Sequence, residues 1–339
     1  MRVISILIPP PAGPEYIGRL TDNDVLFIND QIDPQVYINI ILKNGVPNCI
    51  INNLTTRASF IEATKFYGLP LFVEQWTKKI ADGLQFDDNI TTLNCFNFMI
   101  NKKHVNRYLC IKFVEHFKLI NFDYTWSAVD SYFDMSDILV ELNMLGQQSP
   151  LDADTKGFIL SPIQLEKKII KFPGQIESNS CIDNYGGPDW TWRNGLNNLF
   201  LNSAISLITE SVQHQKASVF TEKTLYPVLG LTFPIWIGGY NQASEWKKIG
   251  FDVFDDIIDH SYQSYDTLIE RCYYAFANNL ELLTNKNKVA ELRLANKARL
   301  LKNRELLLQN HLGNYVDQEI SKYPPELQSV MPEILKYFR

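Results

Sequence analysis

Ala204-Ile-Ser-Leu-Ile208, then Phe220-Thr-Glu-Lys-Thr-Leu-Tyr-Pro-Val-Leu229, then Thr232-Phe-Pro-Ile-Trp-Ile237 is the stretch that decides the fold. The first and third runs are short and apolar, which marks buried strands. The middle run has a hydroxyl residue, Thr221, placed to cap a helix, with Glu222 and Lys223 in the first turn. Gly238-Gly239 ends the second strand. Strand, helix, strand in this order argues for a parallel sheet covered on both faces.

The pattern extends in both directions. Downstream, Glu245 to Ile249 reads as a short helix, Phe251 to Phe254 as a strand and Tyr265 to Leu283 as a long helix. Upstream, Leu93-Asn-Cys-Phe-Asn-Phe-Met-Ile100 reads as a strand, followed by a basic turn and a helical pattern at Tyr108, Ile111, Phe113, Val114, Phe117 and Leu119. Residues 136–200 are less regular, with a strand expected near Phe158-Ile-Leu160 and a turn-rich segment from Asp183 to Trp192. The first ninety residues read as a small α/β unit. Strands are expected at Val3 to Ile8, Val25 to Ile28 and Cys49 to Ile51, and helices at Thr56 to Tyr67 and Phe72 to Ala81. The polar stretch Asp87 to Thr92 marks a boundary. Lys286 to Gln309 reads as one long amphipathic basic helix, and Pro324-Pro325 precedes a short last helix.

Composition bounds the function. The chain has 339 residues, 45% hydrophobic and 21% charged, with a net charge of −6. That is too apolar for disorder and too acidic for a broad nucleic-acid footprint. Its five cysteines are scattered without C-x-x-C spacing, so buried thiols are expected rather than disulfides or zinc. No apolar run approaches the roughly 20 residues of a membrane span, and the start lacks a signal-peptide pattern, so a cytoplasmic protein, cellular or viral, is expected. Peripheral contact with a membrane or an acidic partner through the basic 286–304 helix stays open beside a solvated helix face.

Two clusters can carry chemistry. At Thr221-Glu222-Lys223, a helix N-terminus and a compact cation suit phosphate, and an acid can accept from ribose hydroxyls. An ordinary capped helix fits the same residues. At Lys102, Lys103, His104 and Arg107, a basic turn follows a strand and opens a helix, which puts it at the carboxyl edge of a parallel sheet, where ligands bind. Arg107 suits a bidentate contact to a diphosphate, and a solvated helix start fits as well.

The segments Ala204 to Ser211, Phe220 to Leu229 and Phe233-Pro-Ile-Trp-Ile-Gly-Gly239 resemble the donor-binding half of GT-B glycosyltransferases, above all the α1,3-fucosyltransferase type and related phage and bacterial transferases. That family carries Phe-Glu-Asn-Ser, then Tyr-Val-Thr-Glu-Lys, then a strand ending Pro-Ile-x-x-Gly. Here Glu210-Ser211 stands at the first motif without its Asn, and Thr221-Glu222-Lys223 matches the second. The likeness covers about residues 93–130 and 200–310. It implies an α/β fold of two Rossmann-like domains facing a cleft, with residues 1–90 on the acceptor side, 91–310 on the donor side and 311–339 a helical tail. By the resemblance, Glu222 would bind the donor ribose, Lys223 and Arg107 the diphosphate, and Glu210 would lie beside the donor sugar, with Lys103, Thr221 and Gly238 also lining the donor. Glu210, Arg107 and Lys223 would then be the catalytic set. The implied activity is metal-independent sugar transfer from a nucleotide sugar, GDP-linked as first choice, to a glycan acceptor, with no cofactor. A glycosyltransferase-like binding or scaffold protein without catalysis is the alternative.

Other patterns compete. Asp152-Ala-Asp154 is a D-x-D triplet of the kind that holds Mn²⁺ in GT-A transferases, here in an expected polar turn. Gly238-Gly239 lacks the G-x-G-x-x-G spacing of a dinucleotide fold. Tyr185, Trp190 and Trp192 could stack on a sugar or pack a turn, and Glu15, Asp30 and Asp33 are candidate acceptor bases.

Overall fold

The computed structural model describes residues 2–6, 24–28, 48–52, 65–81, 94–100, 104–126, 151–166, 197–210, 218, 220–336 and 338, with 136, 139, 140 and 143. It is a mixed α/β protein with two parallel four-stranded sheets. The first sheet is formed by β1 (Arg2–Ile6), β2 (Asp24–Ile28), β3 (Asn48–Asn52) and β4 (Lys65–Leu69), in sequence order. The expected strands at Val25 to Ile28 and Cys49 to Ile51 are present, and β1 covers the start of the expected Val3 to Ile8 strand. β4 corrects the expected Thr56 to Tyr67 helix where that range is described. Gly68, read as a helix stop, instead pairs with Ile51 at the end of a strand. Parallel pairing overrides the weak local preference of Lys65-Phe-Tyr.

Helix α1 (Leu71–Ala81) follows β4, as its pattern predicts. It joins the two halves of the described structure. Leu71 lies in the core of the first sheet, whereas Val73 packs into the apolar cluster of the second.

The second sheet carries the stretch from Ala204 to Ile237. Its strands are β5 (Asn94–Ile100), β6 (Phe122–Trp126), β7 (Ser203–Thr209) and β8 (Phe233–Ile237), in the order β6-β5-β7-β8. β5 and β7 are buried along their length, which explains their continuous apolar runs. Phe96, Phe98, Ile205 and Leu207 feed one core, while Met99, Ile208 and Trp236 feed the other. β8 lies at the edge of the sheet, the place where a strand tolerates Pro234.

Helices cover both faces. They are α2 (Val105–His116), α3 (Ala153–Leu160), α4 (Asn197–Leu201), α5 (Glu222–Leu229), α6 (Gln242–Ile249), α7 (Leu268–Asn278), α8 (Leu280–Thr284), α9 (Lys286–Ala295) and α10 (Lys297–Leu308). Four expectations need correction. Phe158 to Leu160 is helical, because Asp152 caps α3 through the Thr155 amide at 2.6 Å. Phe251 to Phe254 is not a strand. The Asp252 amide donates to Asn303 at 2.9 Å, the Asp252 carbonyl accepts from Asn303 at 2.7 Å, and Phe254 has φ of 57°, so no ladder can form. The Tyr265 to Leu283 helix starts only at Leu268, where Thr267 and Glu270 form a capping box, and divides at Asn279. The single Lys286 to Gln309 helix is two helices, divided at Asn296.

The tail is helical, as α11 (His311–Ser321), α12 (Pro325–Gln328) and α13 (Met331–Leu335). It is not peripheral. Val316, Leu327, Val330, Met331, Ile334 and Phe338 form one core with Val25, Phe27, Ile50 and Leu69 of the first sheet. The Phe27 and Phe338 rings meet edge to face, 6.0 Å between centroids. The end of the chain thus completes the unit with which it begins. Leu327→Ala should cost about 2–4 kcal/mol, the price of a core cavity rather than of a surface change. The midpoint of chemical denaturation checks this, and a loss below about 0.5 kcal/mol would contradict the shared core.

Candidate functional site

A parallel sheet binds ligands outside the carboxyl ends of its strands, at the point where the strand order reverses. In the second sheet that point lies between β5 and β7. The chain leaves β5, returns as β6 on one side and later as β7 on the other. Arg107 stands in the first turn of α2, directly after β5, and Thr209 ends β7. The Arg107 Nε donates to the Thr209 hydroxyl at 3.3 Å, across the switch point. Arg107 is almost wholly buried, as its neighbour Asn106 is.

Asn106 ties the edge together. Its Nδ2 donates to the Glu210 carbonyl at 2.8 Å and to the Ile237 carbonyl at 3.1 Å, so one amide spans the ends of β7 and β8. The Glu210 amide donates to the Ile237 carbonyl at 3.0 Å and extends the pairing one residue past β7.

Glu210 is fully buried. Its Oε2 accepts from the Thr221 hydroxyl at 2.5 Å. Its Oε1 accepts from the Thr224 hydroxyl at 2.5 Å and from Gln242 Nε2 at 3.1 Å. Burial pushes this carboxyl above the usual carboxylate range, with Glu222 adding to the shift. The Lys223 charge and the two threonine bonds oppose it. Glu210 was expected beside the donor sugar. In the protein its oxygens hold the start of α5.

Thr221 caps α5 as the sequence implies, accepting from the Lys223 amide at 3.2 Å. The Thr224 hydroxyl accepts from the Thr221 amide at 3.3 Å and closes a capping box. Glu222 and Lys223 occupy the first turn and pair with each other, Nζ to Oε1 at 2.5 Å, each side chain 11% exposed. Two of the first helical N–H groups are thus held internally, because the Thr224 amide also donates to the Thr221 carbonyl at 3.0 Å. The Glu222 carboxylate matches the Lys223 ammonium, so net positive character at this end comes from the helix dipole.

Gly238 follows β8 against Glu210. A Cβ at Gly238 would stand 2.7 Å from the Glu210 Cβ and 3.1 Å from its Cγ. The glycine is required by this close approach.

The structure therefore brings Arg107, Glu210, Thr221, Glu222, Lys223 and Gly238 to one edge of one sheet. Lys103, with Lys102, lies outside the described residues, as do Glu15, Asp30, Asp33 and the Asp183 to Trp192 turn. Asn106, Thr209, Thr224 and Gln242 were not singled out from the sequence. Thr224 had a signal, standing three residues after a capping threonine. Asn106 and Gln242 had none, since their partners are distant in sequence.

The D-x-D triplet does not lie in a free turn. Asp152 spends its carboxylate on the Thr155 amide, which lowers its pKa, and Asp154 begins α3. Among the described residues no group of three His, Cys, Asp or Glu side chains could hold a metal ion. Cys95, Cys110 and Cys272 are buried thiols outside any disulfide. No helix among the described residues is long and apolar enough to cross a membrane.

Gly238→Ala should destabilise the protein by about 1–3 kcal/mol, since the clash falls on the stem of a buried side chain rather than on a flexible tip. Chemical denaturation checks this, and an unchanged midpoint would contradict the close packing of Gly238 on Glu210. No family model, curated protein or solved structure matches the chain.

Proposed function

We propose that this chain is a glycosyltransferase of the GT-B type that takes its sugar from a nucleotide diphosphate donor, GDP-linked as first choice, and passes it to a glycan acceptor. The observation that carries the reading is the convergence of Arg107 and the Thr221 to Lys223 turn on the switch point of a parallel sheet. Two cations and a helix N-terminus at that edge suit a diphosphate.

The chemistry follows from charge. Transfer of a glycosyl group leaves a nucleoside diphosphate carrying new negative charge. Fixed cations in a water-poor site stabilise that charge without reorganising. Arg107 and Lys223 supply it, so no metal is required. Glu222 reaches the donor ribose hydroxyls once its bond to Lys223 is exchanged for a ribose contact, and Lys223 is released to the phosphates in the same step. Glu210 acts through Thr221 and Thr224 and not by contact with the sugar. In this reading the first sheet and its closing tail form the acceptor side.

The Glu222–Lys223 pair also favours a second reading, a nucleotide-binding module without transfer, because the two groups satisfy each other. Thermal shift with GDP, UDP and their sugar conjugates separates the cases. At least one should raise Tm, and Lys223→Ala should weaken its binding by about tenfold or more, the loss of one charge-assisted contact. Sugar release or transfer that persists in EDTA supports the transferase. Binding without turnover supports the module. No shift with any diphosphate at millimolar concentration contradicts both.

A further inference from the structure

We propose that Glu210 is a positioning residue of this site, and that its carboxyl takes up a proton from solvent when a diphosphate settles beside Lys223. The inference rests on the diphosphate reading above and deepens it.

Glu210 sets where the binding turn begins. Its two oxygens grip Thr221, which caps α5, and Thr224, one turn in, so the backbone that carries Lys223 is fixed from below. Gln242 completes the grip from the start of α6.

The surroundings are fitted to either state of the carboxyl. The charged form finds three donors. The protonated form needs an acceptor, and one is present. Gln242 Oε1 is fully buried and makes no hydrogen bond. Turning the amide over sets that oxygen towards Glu210 and pairs it with the new O–H. Each threonine hydroxyl can also turn from donor to acceptor. The acid form thus finds an acceptor, and the group left unpaired is the turned Gln242 amide nitrogen in place of its oxygen.

The charged groups around Glu210 fix the direction of coupling. Lys223 and Glu222 face it from α5, Gln242 from α6 is neutral, and Arg107 from α2 reaches the adjacent Thr209. Lys223 favours the carboxylate, while burial and Glu222 favour the acid. A diphosphate on Lys223 offsets that cation and adds negative charge in a water-poor edge, where such charges interact strongly. The balance moves towards the acid, and a proton enters. Linkage is reciprocal, so diphosphate affinity falls as pH rises through this window, by at most about tenfold per pH unit for one proton.

The test is calorimetric titration with GDP-mannose and UDP-glucose, whose phosphates do not titrate near neutral pH. It is run in two buffers of different ionisation enthalpy at several pH values. Wild type should take up a measurable fraction of one proton per site, with Kd rising with pH. Glu210→Gln should bind with no uptake and a flat pH profile. Thr224→Val removes a donor that held the charged form, so its uptake should peak at higher pH. This variant decides the matter if Glu210→Gln fails to fold. A structural role alone would change Tm but not the proton count. Undiminished uptake in Glu210→Gln, an unmoved profile in Thr224→Val, or wild-type binding without uptake would overturn the proposal and leave the diphosphate reading standing. Absence of binding by wild type would overturn both.

Discussion

A carboxylate sealed from water must be held by donors, and the second half of this protein is arranged around one. Glu210 sits one residue past the end of β7, wholly buried, with hydroxyls of Thr221 and Thr224 and the amide of Gln242 turned onto it. Each charged hydrogen bond of this kind contributes about 1.5–3 kcal/mol, and losing one leaves a charge in a dry place. The consequences reach outward. Gly238 has no side chain because Glu210 occupies that space. The capping residues of α5 are hydroxyls that serve two masters, the helix end and the carboxylate. The turn that bears Glu222 and Lys223 is thereby fixed to the sheet and not merely to its own helix.

The strand order explains why this happens where it does. A parallel sheet entered at β5 and extended to both sides has one place where neighbouring crossovers diverge. The gap needs polar groups to close it, and Asn106 does so by bridging the Glu210 carbonyl just past β7 and the Ile237 carbonyl at the end of β8. The same gap is where a diphosphate would approach, so the groups that stabilise the edge and those proposed to bind it are neighbours in one network. Arg107 shows the overlap most plainly. It is buried against Thr209 yet belongs to the first turn of α2, facing the switch point.

What could be read from the sequence follows the range of the interaction. β5, β7 and β8 are apolar runs buried on both faces, and such runs announce themselves. β6 was not foreseen, because Phe122-Asp-Tyr-Thr-Trp126 is an edge strand whose polar residues interrupt the run. Thr221 is a local cap, and a cap is written within four residues; Thr267 carries the same signal, although the helix there is expected from Tyr265. Phe251 to Phe254 looked like a strand by composition, but Asn303, 51 residues further on, takes both of the Asp252 backbone groups. The grip on Glu210 was illegible for the same reason. Gln242 meets it across 32 residues and Asn106 across 104, and no spacing rule reaches that far. The tail shows the extreme case, since Val316 to Phe338 is explained only by the first sheet it covers.

Charge placement separates two surfaces that composition alone leaves equal. The 286–304 segment holds Lys286, Lys288, Arg293, Lys297, Arg299, Lys302 and Arg304, enough to suggest a basic face for an acidic partner or a membrane. Its strongest members turn inward. Arg293 is fully buried, where burial lowers its pKa to about 10, and it donates to the carbonyls of Leu231, Leu201 and Gly230 at 2.8, 3.0 and 3.2 Å. Arg299 clasps Asp252 and Asp256 together, and Lys288 pairs with Glu281. A helix that attracts an anionic surface must offer its cations on one outward face. Arg293 and Arg299 are consumed in closing the ends of strand connections and holding an irregular loop, whereas Lys286 and Lys302 stand exposed. Arg107 and Lys223 are engaged too, with Thr209 and Glu222, but they stand at the carboxyl edge of the second sheet, beside its switch point. In a chain of net charge −6, the proposed anion site rests on position relative to that edge and not on the number of basic residues.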